Sequence, residues 1–274
     1  MKSIEVQNLS KVFDNPLSGR LVVLDGISFT VEFGGFLSIL GPSGSGKSLL
    51  LQIIAGLERP TEGTIRLGHP GAEPAAAGPA HANGSAHRNG SRIGFVFQAP
   101  RLLPWKRAGE NIRYVLTGRS LGRSEEDRII DWVLGITGLL PYKGYYPHQL
   151  SGGMQQRLAI ARALAYDADV ILMDEPFSNL DEITACNLRE EVARIWAETK
   201  KTILFVTHDI CEACFLGSEI ILLTPKPTRI YERFAIDLPR PRVYGSEELF
   251  EKERQVLRTF EQSVAAHTAR PVAR

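Results

Sequence analysis

Gly41-Pro42-Ser43-Gly44-Ser45-Gly46-Lys47-Ser48 follows a compact apolar run, Phe36 to Leu40, and precedes Leu49, Leu50, Leu51, Ile53 and Ile54. The first run reads as a buried strand and the second as a buried helix, ended by Gly56 and Pro60. Strand, glycine loop and helix in that order form a phosphate-binding α/β unit. The loop fits the full G-x-x-x-x-G-K-[ST] pattern. Its glycines let backbone amides turn inward into an anion nest at a helix N-terminus. Lys47 can set a positive charge on terminal phosphates, and the Ser48 hydroxyl can ligate Mg²⁺. A merely flexible Gly/Ser loop would need neither the strand before it nor the helix after it.

On the N-terminal side, Ile4, Val6 and Leu9, then Leu21 to Leu24 and Ile27 to Val31, read as short antiparallel strands broken at Asn15-Pro16 and Gly19. On the C-terminal side, Ile93 to Gln98 is strand-like, and Pro100 to about Tyr166 is helical in pattern. Val170 to Met173 ends in Asp174-Glu175, and Ile203 to Val206 ends in Thr207-His208-Asp209. Continuous apolar strands separated by helices predict a parallel sheet covered on both faces. Residues from about 69 to 91 are Gly, Pro, Ala, His, Asn and Ser with almost no large apolar side chain. They read as a flexible surface loop, because such a segment buries too little to offset its ordering entropy. The tail beyond about Ser246 reads as a peripheral helix with a frayed end.

The chain has 274 residues, 43% hydrophobic and 23% charged, with a formal net charge of +1. That balance argues against nucleic acid as the main partner, since a phosphate-binding face usually carries a basic excess. The three cysteines, Cys186, Cys211 and Cys214, are too few for a disulfide scaffold. Cys211 and Cys214 read as small packed helix residues rather than a redox or zinc pair. His69, His81 and His87 lack Cys or carboxylate partners at ligand spacing, so they read as loop residues. No apolar run reaches the roughly 18–20 residues needed to span a bilayer, so a membrane role would be peripheral.

Asp174 and Glu175 stand where open parallel sheets present ligands. Asp174 can hold Mg²⁺ or its water, and Glu175 can polarise an attacking water; alone, the pair could equally be a solvated acidic turn. Leu150-Ser151-Gly152-Gly153-Met154-Gln155-Gln156 is a second anion-binding helix end. There Ser151 caps the helix and the glycines leave its first amides open. One active site does not need two such ends from one chain. Two chains sharing two nucleotides do.

Taken together these motifs resemble the ATPase subunits of ABC transporters over roughly residues 2–240. Gly41 to Ser48 is similar to their Walker A loop, Ile171 to Glu175 to their Walker B strand, and Leu150 to Gln156 to their signature motif, with Met154 where Gln is commoner. Gln98 matches the Q-loop glutamine, His208 the switch histidine, and Ser178-Asn179-Leu180-Asp181 the D-loop, with Asn179 where Ala is usual. Phe13 falls at the aromatic residue that stacks on adenine, the alternative being a core residue of the small sheet. Leu49 replaces a common Thr, which implies a missing hydroxyl on the α-phosphate.

The resemblance implies an α/β fold: a P-loop NTPase core with a mainly parallel sheet, an antiparallel β-subdomain and an α-helical subdomain. It sets an ATPase domain over 1–240, with the helical subdomain at about 100–166, the low-complexity insert at about 69–91, and a partly helical extension at 241–274. It also implies ATP and Mg²⁺ as ligands, with Ser48, Gln98 and Asp174 toward the metal, Glu175, His208 and Gln98 as catalytic groups, and Ser151 to Met154 acting on the partner copy's ATP.

Pro100-Arg101-Leu102-Leu103-Pro104-Trp105, Tyr146-Pro147-His148-Gln149 and Leu238-Pro239-Arg240-Pro241-Arg242 look like the nitrate/sulfonate/taurine importer branch. That implies a homodimer at the cytoplasmic face of the membrane, beneath two transmembrane permease subunits fed by an extracytoplasmic solute-binding protein, with no nucleic acid. The alternative is a soluble ABC ATPase acting on nucleic acid or ribosomes.

Overall fold

The computed structural model of the chain describes residues 2–15, 19–68, 87–88, 91–117 and 119–268. In chain order its elements are β1 (Lys2–Asn15), β2 (Gly19–Glu32), β3 (Phe36–Leu40), α1 (Lys47–Ile54), β4 (Glu62–Leu67) and β5 (His87–Arg88). Next come β6 (Ile93–Val96), α2 (Ala108–Leu116), α3 (Arg123–Ile136), α4 (Gly152–Ala165), β7 (Val170–Asp174) and α5 (Glu182–Thr199). The chain closes with β8 (Thr202–Thr207), α6 (Ile210–Leu216), β9 (Glu219–Leu223), β10 (Ile230–Ala235) and α7 (Glu247–Thr268). These elements form two compact units, one of Met1–Ser91 with Thr202–Arg274, the other Arg92–Lys201.

The first unit carries an antiparallel hairpin, β1 with β2, to which β4 adds on the other side of β1. Ile4, Val6 and Leu9 on β1, and Ile27, Phe29 and Val31 on β2, are all buried, so the apolar alternation read from the sequence is one packed face. The same unit holds the strand order β10-β9-β3-β8. There β3 runs parallel to β8 and β9, and β10 is antiparallel to β9. Every residue of β3 is buried. At about 1.5–3 kcal/mol per large apolar side chain, Phe36, Leu37, Ile39 and Leu40 outweigh a backbone ordering cost of about 1–2 kcal/mol per residue. The strand is therefore a rigid strut for the loop that leaves its end.

The second unit has the parallel pair β6 and β7 with helices α2 to α5. Gly94 on β6 allows close approach of α4: a Cβ there would stand 3.0 Å from the Ala163 Cβ. The helical reading of 100–166 resolves into α2, α3 and α4 with 3₁₀ turns at Leu140–Tyr142 and Pro147–Gln149. The P-loop core, mixed and mainly parallel sheet, antiparallel sheet and helices agree with the fold class expected from the sequence. No described helix is long and apolar enough to cross a membrane.

Most of the low-complexity segment, including His69 and His81, lies outside the described residues. His87 and Arg88 within it pair parallel with Arg66 and Leu67 at the edge of β4. An open strand edge satisfies backbone groups with whatever chain reaches it, a pairing that composition does not reveal.

Candidate functional site

In the first unit, β3 and β8 are in register with Leu40 opposite Thr207. That register sets the start of the glycine loop, Gly41, beside His208 at the carboxyl ends of neighbouring parallel strands, where such sheets bind ligands. Gly46 ends the loop as the N-cap of α1, at φ +96°. A Cβ there would be 2.9 Å from Val23 Cγ1, so sterics and backbone conformation both require glycine. Leu50, Leu51, Ile53 and Ile54 bury the far side of α1.

Lys47 lies under the loop, its ammonium donating to the carbonyls of Gly41 at 2.9 Å and Pro42 at 3.0 Å. The buried Thr228 hydroxyl donates to the Ser45 carbonyl, and the Ser45 hydroxyl is buried with no hydrogen-bond partner. Ser43, Gly44 and Ser48 face outward, and Leu49 is half-buried. Phe13 is 39% exposed on β1, opposite Leu21, and is not part of the core of the small sheet. The Lys11 ammonium stands 4.7 Å from its ring centroid, itself held by the Glu58 carboxylate at 2.8 Å.

His208 is exposed just past β8, held by a local network. The Thr207 hydroxyl donates to Glu212 at 2.5 Å and accepts from the Asp209 amide at 3.0 Å. Asp209 caps α6 by accepting from the Glu212 amide at 3.0 Å. At the other end of α6, Arg242 donates to the carbonyls of Cys214, Phe215 and Gly217, and Tyr244 stacks on Phe215 with ring centroids 4.2 Å apart. A guanidinium there satisfies helix-end carbonyls and complements the negative end of the helix dipole. The Leu238 to Arg242 stretch, read in the sequence as a branch marker, therefore closes α6. Burial pushes the Cys214 thiol up from 9.0 to about 12, as befits a packed residue.

In the second unit, the register of β6 and β7 sets Val96 opposite Met173, so Gln98 and Asp174-Glu175 leave neighbouring strand ends. Asp174 closes the fully buried β7 and is itself 8% exposed. Glu175 adopts φ +43°, the left-handed region that side chains other than glycine rarely visit. The Ser178 amide and hydroxyl both donate to the Glu175 carbonyl, at 3.3 and 3.0 Å. The Gln98 side-chain amide donates to the Ser178 hydroxyl at 3.0 Å.

Ser151 caps α4, its hydroxyl accepting from the Met154 amide at 3.3 Å. Asp181 caps α5, accepting from the Thr184 amide at 3.0 Å, a bond that holds its carboxyl below the usual carboxylate range. The two capped helices meet at Gly153, where a Cβ would lie 2.4 Å from Thr184 Cγ2. That glycine is needed for packing as well as for an open helix end. Gln155 donates to the carbonyls of Pro147 and Leu150, and the buried Gln156 to that of Phe97.

Sequence reasoning missed Glu212, Ser178, Arg242 and Thr228 as parts of the site. Each acts through a backbone or hydroxyl partner chosen by folding, and none carries a signature of its own. Only Glu212 left a trace, as an acid four residues after His208 at the start of a helical run.

Residues 24–178 match the family model described as ABC transporter. The chain is 41% identical over 261 residues to an uncharacterised ABC transporter ATP-binding protein of Methanocaldococcus jannaschii, covering 95% of this chain and 92% of that one. It is 39% identical to the aliphatic sulfonates import ATP-binding protein SsuB of Bacillus cereus, covering 94% and 96%. To the taurine import ATP-binding protein TauB of a Jannaschia species it is 37% identical, covering 86% and 83%. A dimeric post-hydrolysis structure of an ATP-binding cassette bound to ADP and Pi superposes with a TM-score of 0.68 at 30% identity, covering 86% of this chain and all of that one. The chain belongs to the ABC transporter family, as one of its ATP-hydrolysing ATP-binding subunits.

Proposed function

We propose that this ATPase drives an importer of a small anionic solute, of the nitrate, sulfonate or taurine kind. Two copies would work at the cytoplasmic face of the membrane beneath two permease subunits, supplied by an extracytoplasmic solute-binding protein. The observation that carries this reading is likeness to SsuB along 94% of the chain, which includes the segments around Trp105 and Arg240. Trp105 itself is 70% exposed, on a segment clamped from below by the buried Asn111. Asn111 accepts from the Leu103 amide at 2.8 Å and donates to the carbonyls of Leu103, Lys106 and Arg107. A large aromatic side chain held outward on a fixed loop suits a protein contact.

In the proposed reaction Lys47 and the loop amides hold the β- and γ-phosphates of ATP. Phe13 supplies a π face for the adenine, and Leu49 packs where a hydroxyl would otherwise meet the α-phosphate. Glu175 accepts a proton from the attacking water as its oxygen bonds to the γ-phosphorus and the bond to the bridging oxygen breaks, releasing ADP and phosphate. His208 contacts the γ-phosphate, and Ser151 to Met154 of one copy close on the ATP of the other, with Asp181 beside that interface. Ser48, Gln98 and Asp174 form an all-oxygen donor set, which suits Mg²⁺; the ion would neutralise charge on the phosphates. Closure of the dimer on ATP, and opening after hydrolysis, would move the attached permeases.

Purification from native membranes in mild detergent tests this reading. Two permease chains should co-purify, and vesicles holding the complex should take up labelled taurine or an alkanesulfonate only with ATP inside the leaflet that bears the ATPase. Recovery of the chain on ribosomes or nucleic acid, with no membrane protein attached, would overturn it.

A further inference from the structure

We infer that Ser178 orients the Gln98 side-chain amide, turning its carbonyl oxygen toward the phosphate site and tying it to the backbone of Glu175. The argument is one of hydrogen-bond direction. The Ser178 hydroxyl has one proton. Its oxygen lies 3.0 Å from the Glu175 carbonyl, which can only accept, so the proton points there. Toward Gln98 the Ser178 oxygen is then an acceptor, and the group facing it at 3.0 Å must be the Gln98 NH₂. The Gln98 carbonyl oxygen is thereby turned away from Ser178. A flipped amide would set two acceptors against each other and present NH₂ donors where a cation needs an oxygen.

The same serine holds the turn that carries Glu175. Its amide and hydroxyl converge on one carbonyl, that of a residue at φ +43°. Left-handed backbone at a non-glycine residue persists only where its surroundings over-determine it. Ser178 thus links the side chain on one strand end to the backbone on the next, and its role is positioning: it touches neither nucleotide nor water. The inference rests on the proposed role of Gln98 as an oxygen donor toward Mg²⁺.

The test is equilibrium binding of a fluorescent ATP analogue to the full chain in a Glu175→Gln background, in EDTA and across a Mg²⁺ titration. Ser178→Ala should leave binding in EDTA unchanged and raise the Mg²⁺ concentration for half-effect roughly threefold to tenfold, as expected for one exposed neutral hydrogen bond. Gln98→Ala should do at least as much, and the double variant no more than Gln98→Ala alone. Ser178→Thr keeps the hydroxyl and should restore the parental value. A parental Mg²⁺ dependence in Ser178→Ala while Gln98→Ala is shifted overturns the positioning role, and so does full additivity in the double variant. If Gln98→Ala itself leaves the Mg²⁺ dependence unchanged, the metal-facing role of Gln98 fails first.

Discussion

The Thr207 hydroxyl donates a 2.5 Å hydrogen bond to the Glu212 carboxylate, and His208 follows Thr207 directly at the end of β8. Thr207 and Glu212 are both buried, so this bond fixes the direction in which the chain leaves the strand. Glu212 on α6 thus sets the pose of an exposed histidine that it follows by four residues.

Replacing Glu212 with Ala should lower ATP turnover roughly tenfold, about 1.4 kcal/mol of transition-state stabilisation, with nucleotide affinity within about twofold of the parent. Steady-state phosphate release beside equilibrium nucleotide binding checks it. An equal loss in both would mean that the whole unit, and not the histidine pose, was disturbed.

Glu175→Gln should abolish turnover while ATP-dependent dimerisation persists, because the amide keeps the shape of the side chain but cannot take a proton. Phosphate release and size-exclusion chromatography with ATP read the two effects. Hydrolysis at the parental rate would remove Glu175 as the base.

Gly153→Ala should destabilise the protein by about 1–3 kcal/mol through overpacking, since the added methyl would fall 2.4 Å from Thr184 Cγ2. Adding Thr184→Ser removes that methyl and should return most of the lost stability. Urea melts of the parent, single and double variants decide this. Unrelieved destabilisation in the double variant would locate the strain elsewhere.

The Cys214 thiol is raised from 9.0 to about 12, chiefly by burial. Between these values the unfolded chain loses the proton and the folded chain keeps it, so the unfolded state gains. Stability from this group is intact below pH 9 and declines as pH rises toward 12, at about 1.4 kcal/mol per pH unit. Urea unfolding at pH 8 and pH 10 should show a drop that is smaller by about that amount in Cys214→Ala. Iodoacetamide at pH 8 should leave Cys214 unlabelled until the protein unfolds.

Much of this molecule can be read without coordinates. The P-loop, Asp174-Glu175, Ser151-Gly152-Gly153 and His208 are contiguous short patterns whose chemistry is local, and the apolar runs of β3, β7 and β8 announce buried parallel strands. Gly153 shows where such reading stops. Its place in the signature was plain, but its need for a bare Cα comes from Thr184 on a different helix. Trp105 could be named from the sequence as a contact residue, whereas the Asn111 clamp beneath it could not.

The amino-acid order alone determined which residues could handle a phosphate and which strands would be buried, because loop chemistry and hydrophobic period are written within a few consecutive positions. Only the tertiary structure decided how those residues are aimed. Strand register sets Gly41 beside His208 and Gln98 beside Asp174, and hydrogen bonds from Glu212 and Ser178 set their orientation. Directional bonds between residues distant in sequence exist only once the backbone has brought the partners within about 3 Å.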